Sequence, residues 1–295
     1  PFVLKAGGEK WDLSVAQHFL FVDGSREAPV YDPAAVNAFG LVFPRERRQQ
    51  FQDRGQVRIN YRAGDFFLRP AAQWRYTDMR TLMRPQTGYQ NFVDRSDVNG
   101  GLDTGYFVDE NFNLFAGYRY GYQYHQSIPW VGRNATNHYH RALFGAQIGD
   151  KEWSLSVQAG PTFHEYTGKR LAGQGKHLTR LYAEIAAQFK LDERQRVEFS
   201  YTQFDTLSST SAAAYEYYAL ALRYAYAMSE RWEFGASAAW VFTDYEAPTS
   251  RRDGMFTPEI FARWKLNEHV SLRLSYGCDI GYNDESSAYG RDFVR

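Results

Sequence analysis

The feature that most constrains this chain is a two-residue alternation sustained through segments much longer than an ordinary globular strand. From 177 to 191, Leu181, Ala183, Ile185, Ala187, Phe189 and Leu191 take one parity, and Arg180, Glu184, Gln188 and Lys190 take the other. An advance of two residues returns a side chain to the same face of a strand, so this pattern predicts a sheet with one apolar and one polar face. After Asp192-Glu193 the alternation resumes, with Val197, Phe199 and Tyr201 against Arg196, Glu198, Ser200 and Thr202, which predicts a hairpin.

The same grammar recurs downstream. Tyr218, Leu220, Leu222, Tyr224, Tyr226 and Met228 share a face opposite small residues and Arg223, and after Ser229-Glu230 the series Trp232, Phe234, Ala236, Ala238, Trp240 and Phe242 alternates with Glu233, Ser237 and Thr243. Phe256, Ile260, Ala262 and Trp264 alternate with Thr257, Glu259, Arg263 and Lys265, and Val270, Leu272, Leu274, Tyr276, Cys278 and Ile280 with Ser271, Arg273, Ser275 and Asp279. Further strands are predicted near 153–164, 137–148, 113–125, 97–108, 66–77, 56–62 and 11–22. Tight turns fall at 63–65, 109–111, 149–150, 192–193, 229–230 and 267–268, whereas the connections 24–50, 80–96, 127–136, 166–176 and 246–253 are longer.

Length and composition narrow the setting. The 295 residues hold 22 Tyr, 22 Phe and 7 Trp, yet the mean hydropathy is -0.57, and no stretch approaches the roughly 18 to 20 consecutive apolar residues of a membrane-spanning helix. A membrane protein of this kind has to cross as a closed barrel, whose lumen is free to be polar. Three features favour a membrane over a soluble sandwich or propeller. Strands of about twelve residues exceed the five or six usual in globular sheets. Aromatic residues run consecutively along one face, as at Tyr118, Tyr120, Tyr122 and Tyr124, the residue types that gather at the two membrane interfaces. The opposite face carries more arginines than a dry core tolerates unpaired.

The sequence therefore predicts an all-β fold, a transmembrane up-and-down antiparallel β-barrel of about fourteen strands, with twelve or sixteen as the alternative even counts. It forms one domain over 1–295, with thirteen readable strands and a closing strand begun at 290–295 that is short of the usual nine to eleven residues. Short turns at one end and long loops at the other match the periplasmic and outer ends of such barrels. The start, Pro1-Phe2-Val3-Leu4-Lys5, lacks the pattern of a secretory signal, so the barrel reading requires a mature chain.

A family resemblance enters here. The aromatic hairpins, Gly117-Tyr118-Arg119-Tyr120-Gly121-Tyr122, Gln158-Ala159-Gly160-Pro161 and the terminal Arg291-Asp292-Phe293-Val294 resemble a broad group of Gram-negative outer-membrane β-barrel porins, although the usual terminal aromatic is missing. The resemblance spans most of the chain and implies the fold, a bacterial outer-membrane location among lipids and lipopolysaccharide, and a pore.

Charge supplies the candidate site. Lys plus Arg and Asp plus Glu both total 34, which argues against a nucleic-acid partner. By parity Arg58, Arg62, Arg69, Arg75, Arg119, Arg141, Arg180, Arg196, Arg223, Arg263 and Arg273 face the lumen, with fewer acids: Asp103, Glu184, Glu198, Glu233, Glu259 and Asp279. A net positive wall predicts a passive channel for small hydrophilic, preferably anionic solutes. The alternative for the same charges is structural ladders between strands, such as Glu184 with Arg196, and the two readings are compatible.

Two other functions compete. A barrel plugged by its loops or by a partner would anchor an envelope or surface assembly, and the insertion 24–50, with Phe39-Gly40-Leu41-Val42-Phe43 beside Arg45, Arg47 and Arg48, would serve as constriction or contact surface. An outer-membrane lipid or peptide hydrolase would need a nucleophile and base in reach, and His164 with Glu165 or the loop Ser208-Ser209-Thr210-Ser211 supply the only candidates. GxSxG, HExxH and Gly-rich phosphate motifs are absent, so no catalytic residue, metal or cofactor is assigned. His138-Tyr139-His140 points two imidazoles the same way, a metal pair or a rim pair, and His125 and His164 have lumen parity near the loop end. The single Cys278 leaves the redox compartment open.

Overall fold

The computed structural model describes residues 2–22, 49–85, 91–208, 214–246, 252–268, 270–278, 280–283 and 293–294. These form a single antiparallel sheet. In chain order its strands are β1 Phe2–Gly7, β2 Trp11–Val22, β3 Gln50–Ala63, β4 Phe66–Asp78, β5 Arg95–Phe107, β6 Phe112–His125, β7 Asn137–Gly149 and β8 Trp153–Tyr166. They continue as β9 His177–Lys190, β10 Gln195–Leu207, β11 Ala214–Ala227, β12 Trp232–Tyr245, β13 Arg252–Lys265, β14 Ser271–Gly277, β15 Ile280–Asn283 and β16 Phe293–Val294. Every strand pairs with its sequence neighbours, except that β14 and β15 both pair with β13 and so are two parts of one strand.

The short turns are built by side chains that hold the backbone. The Asp192 carboxylate accepts the N–H groups of Arg194 and Gln195, both at 2.7 Å, and Asp150 does the same for Glu152 at 2.7 Å and Trp153 at 3.1 Å. Asp109, Ser229 and Asn267 begin the equivalent turns. This is the side-chain mimicry of a backbone turn that favours Asp, Asn and Ser. Ala63 and Phe66 are instead joined through Gly64, whose φ of 65° suits glycine.

The alternation fixes two faces. On β6, Tyr118, Tyr120, Tyr122 and Tyr124 point outward and stay between 37% and 49% exposed, while Arg119, Gln123 and His125 point inward and are buried. Contacts across the interior show that the sheet curls round a single inner space. Arg69 on β4 donates to Gln147 on β7 at 3.3 Å, and the Arg75 guanidinium lies 5.2 Å from the Phe204 ring on β10. Among the described residues β1 pairs only with β2, and β16 only with β15.

Three differences from the sequence expectation have physical reasons. β1 was not predicted because Phe2-Val3-Leu4 is a continuous apolar run, which hides a period of two. β3 begins at Gln50, six residues earlier than expected, because Asp53 and Gly55 interrupt the apolar parity there. The tail strand 290–295 is represented by Phe293–Val294, which pairs with Ile280 and Gly281. The insertion segment Phe39 to Phe43, with Arg45, Arg47 and Arg48, lies outside the described residues, as do Asp279, Ser209, Thr210 and Ser211.

The sheet has one internal departure from regularity. β9 pairs with β8 along its length up to His177, but with β10 only as far as Ala183 opposite Gln203. β10 meanwhile stays paired with β11 through Leu207 opposite Ala214. The β10–β11 tip has therefore left the wall and folded inward.

Candidate functional site: the loop-end lumen and its arginine wall

The inward tip meets the inner face of β5 to β9 through a connected polar network. Arg95 donates to the Leu207 carbonyl, His125 Nε2 donates to the Ser208 carbonyl at 2.8 Å, and Gln123 donates to the Asp205 carbonyl at 3.3 Å. The Asp205 carboxylate lies 3.4 Å from His164 Nε2 and 3.6 Å from Arg180 Nε. Arg180 also reaches Glu216 at 3.3 Å. Beneath the tip, Ala135, Tyr166, Leu207 and Ala214 pack into a small apolar cluster against Leu178. The loop after β8 closes over it, where Arg170 pairs with Glu246 and sits 3.6 Å above the Tyr166 ring.

The hydrogen-bond inventory fixes how His164 is held. The Asn137 amide nitrogen donates to Gln123 Oε1 and to the Ala135 carbonyl, each at 3.0 Å. Asn137 Oδ1 is therefore the acceptor facing His164 Nδ1 at 3.0 Å, which makes Nδ1 a donor. The Nε2 edge is left to face Asp205. Tyr139, fully buried, donates to Asp97 at 2.9 Å. At this end the lumen is filled by side chains.

Below the tip the interior opens. A cavity of about 380 Å³ lies between β2–β5 on one side and β7–β10 on the other, lined among others by His18, Arg54, Arg75, Asp97, Arg141, Tyr182, Glu184 and Phe204. A second, of about 760 Å³, reaches the short-turn end, lined by Asn113, Gln147, Ser156, Gln188, Glu198 and Arg223.

The arginines assigned to the lumen by parity divide into two groups. On β10 to β14 they interlock with glutamates. Glu198 takes Arg196 at 2.9 Å and Arg223 at 3.6 Å, Glu233 takes Arg223 at 3.7 Å and Arg263 at 3.4 Å, and Glu259 takes Arg273. Glu184 does not pair with Arg196; it accepts from Gln158 at 2.6 Å and Tyr182 at 2.8 Å. Its Oε2 is met by β8 and its own strand, whereas Arg196 lies nearer the turn, opposite Lys190. On β3 to β7 only Arg119 has a carboxylate, Asp103 at 2.7 Å. Arg58, Arg62, Arg69, Arg75 and Arg141 have none within salt-bridge distance among the described residues. They rest instead on rings and neutral groups: Arg62 over Phe107 at 4.4 Å, Arg69 over Phe67 at 4.8 Å, and Arg141 over Tyr182 at 3.9 Å. Parity reasoning missed Arg54 and Arg95, which follow from extending the same alternation by one step, and Asp97, which opens the predicted strand 97–108 on the parity of Asp103.

The other histidine candidates separate. His138 and His140 lie on the outer face among Tyr118, Tyr120 and Tyr122, with Tyr120–His138 and Tyr118–His140 hydrogen bonds of 2.7 and 2.6 Å. No metal-binding cluster is present among the described residues. His164 and Glu165 occupy opposite faces of β8, and His125 meets the Ser208 carbonyl, so among the described residues neither histidine forms a base–nucleophile pair of the kind the sequence suggests.

No family model and no curated protein matches this chain. Solved structures do. The copper transporter OprC aligns at a TM-score of 0.46 and 10% identity over 99% of this chain and 62% of that one. The FrpB iron transporter from Neisseria meningitidis aligns at 0.45 and 10% over 98% and 58%, and the outer-membrane expressed OmpT of Vibrio cholerae at 0.39 and 10% over 95% and 89%. This chain thus spans about three fifths of the length of the first two. Likeness at this level carries no functional argument, which rests on the geometry above.

Proposed function

We propose that this protein is a bacterial outer-membrane channel for passive diffusion of small hydrophilic, preferably anionic solutes, held shut at its loop end by the folded-in β10–β11 tip. The observation that carries the reading is the two-sided wall. Long strands present rings outward, as at Tyr118 to Tyr124, and charged side chains inward to spacious cavities. Such a pattern suits a lipid exterior with aromatic girdles and a wet lumen. Anion preference follows from the arginines of β3, β4 and β7 that lack carboxylates, because a positive pore wall raises the local anion concentration.

The test is conductance of the purified chain in a planar bilayer with a salt gradient. Channel steps with a reversal potential on the anion side are expected. Replacing Arg58, Arg75 and Arg141 by glutamine moves that potential toward the cation side, whereas the ladder arginines Arg223 and Arg263 have smaller effects because glutamates already offset them. The packed loop end favours a second reading, a barrel whose lumen is permanently plugged and which serves as an anchor for an envelope or surface partner. A folded, inserted protein that stays silent even after the tip is removed would favour that reading.

A further inference from the structure

We propose that the 380 Å³ cavity is a binding site for a small oxyanion, a carboxylate or phosphate, gripped by Arg54, Arg75 and Arg141. The proposal rests on the channel reading for its purpose, but not for its chemistry. Arg54 and Arg75 stand directly opposite one another on β3 and β4, and like charges so placed destabilise a sheet unless something neutralises them. In two other opposed arginine pairs in this wall a carboxylate of the protein meets at least one member. Arg119, opposite Arg141, has Asp103 at 2.7 Å, and Arg263, opposite Arg273, shares the Glu233 and Glu259 ladder.

The Arg54–Arg75 pair has no such partner among the described residues. Arg54 donates to the neutral Gln52 at 2.8 Å, and Arg75 lies over the Phe204 ring. Asp97 is opposite Arg75 on β5, yet its two oxygens are occupied by Gln123 and Tyr139, each at 2.9 Å. Glu184, the other acid lining the cavity, accepts from Gln158 and Tyr182 through Oε2 and forms no ion pair with Arg54, Arg75 or Arg141 among the described residues. Arg141, buried and donating to Thr162 at 2.9 Å, adds a third guanidinium. Three planar forks around one space, with the local carboxylates held by neutral donors, match the bidentate geometry of an oxyanion. Tyr182 and Phe204 give an apolar body somewhere to lie.

Equilibrium binding is measured by calorimetry on the detergent-solubilised full chain, with inorganic phosphate and benzoate as separate probes at constant ionic strength. Saturable binding of at least one probe is expected, weakened tenfold or more by Arg75→Gln or Arg141→Gln and unchanged by the turn variant Lys151→Gln. The thermal midpoint of the parent protein rises with the bound probe, and that of Arg75→Gln does not, which separates loss of the site from loss of the fold. Absence of binding by both probes, or equal binding by parent and arginine variants, overturns the site. Binding without conductance, even after the tip is removed, leaves the site standing and removes the channel reading; conductance without binding does the reverse.

Discussion

Asp205 is the residue on which the inward tip turns. It is 4% exposed, and its carboxylate faces both His164 and Arg180. A buried charge that loses its partner costs more than an ordinary hydrogen bond, so Asp205→Asn weakens the tip contact from both sides. We expect a rise in open-channel probability of about tenfold, equivalent to about 1.4 kcal/mol, read as dwell times in single-channel records; unchanged dwell times would show that Asp205 does not hold the tip. Asp103 offers a contrasting case, because it neutralises the buried Arg119 within the fixed wall. Asp103→Asn strands that guanidinium and lowers stability by about 3–5 kcal/mol, measurable as an earlier midpoint in urea, with little change in gating. Gly121 matters for space, since an added Cβ would fall 2.2 Å from the Tyr139 ring. Gly121→Ala displaces that ring from Asp97 and costs about 1–3 kcal/mol by overpacking.

Among elements, the β10–β11 hairpin combines two behaviours in one pair of strands. Its turn-end half is part of the wall, paired with β9 up to Ala183. Its tip is a lumen element, with Leu207 and Ala214 buried against Ala135, Tyr166 and Leu178. Among the described residues, six residues of β9, His177 to Tyr182, consequently lack a ladder partner on the β10 side. Unpaired backbone is not tolerated against hydrocarbon, which places this stretch at or beyond the membrane–water boundary and gives the barrel a direction. Replacing residues 203–218 with an Asn-Gly turn removes the tip while leaving Thr202 opposite Ala219. The shortened protein is expected to conduct more than the parent, and equal conductance would show that the tip does not obstruct the lumen.

The short turns carry their own pH dependence. Backbone N–H groups of Arg194 and Gln195 lower the Asp192 pKa below its ordinary value, and those of Glu152 and Trp153 do so for Asp150. A depressed carboxylate stabilises the fold above its unfolded pKa and loses that contribution as pH falls through the folded one. Amide exchange at Arg194 and Gln195 is therefore expected to accelerate, relative to neighbouring strand amides, as pH drops below about 3.9. Asp192→Asn retains the turn and loses the pH effect.

At the scale of the whole molecule, the inner surface is electrostatically divided. The β10–β14 wall carries arginines and glutamates in mutual contact, while on β3 to β7 Arg119 pairs with Asp103 and Arg62, Arg69 and Arg141 are seated on rings. From sequence the ladder and the positive wall are two compatible accounts of one set of charges, and among the described residues the arginine–glutamate contacts gather on the β10–β14 half of the sheet.

Much of this was present in the chain before any folding. The period of two in Leu181 to Leu191, or in Tyr118 to Tyr124, determines strand, face and lumen parity, because a side chain's side of a strand depends only on whether its number is odd or even. Asp, Asn and Ser at the turns act locally, so the hairpin ends were legible as well. What parity leaves open is which inward residue meets which, since that depends on register and on the curl of the sheet. Only the tertiary structure gave Glu184 to Gln158 and Tyr182 rather than to Arg196, and left Arg54 and Arg75 opposed without a carboxylate. Only it turned Asp205, on the outward parity of β10, into a lumen contact of His164. The departure of β10 from β9 reverses what outward means at that point, and no local pattern in the sequence encodes a contact made across the interior.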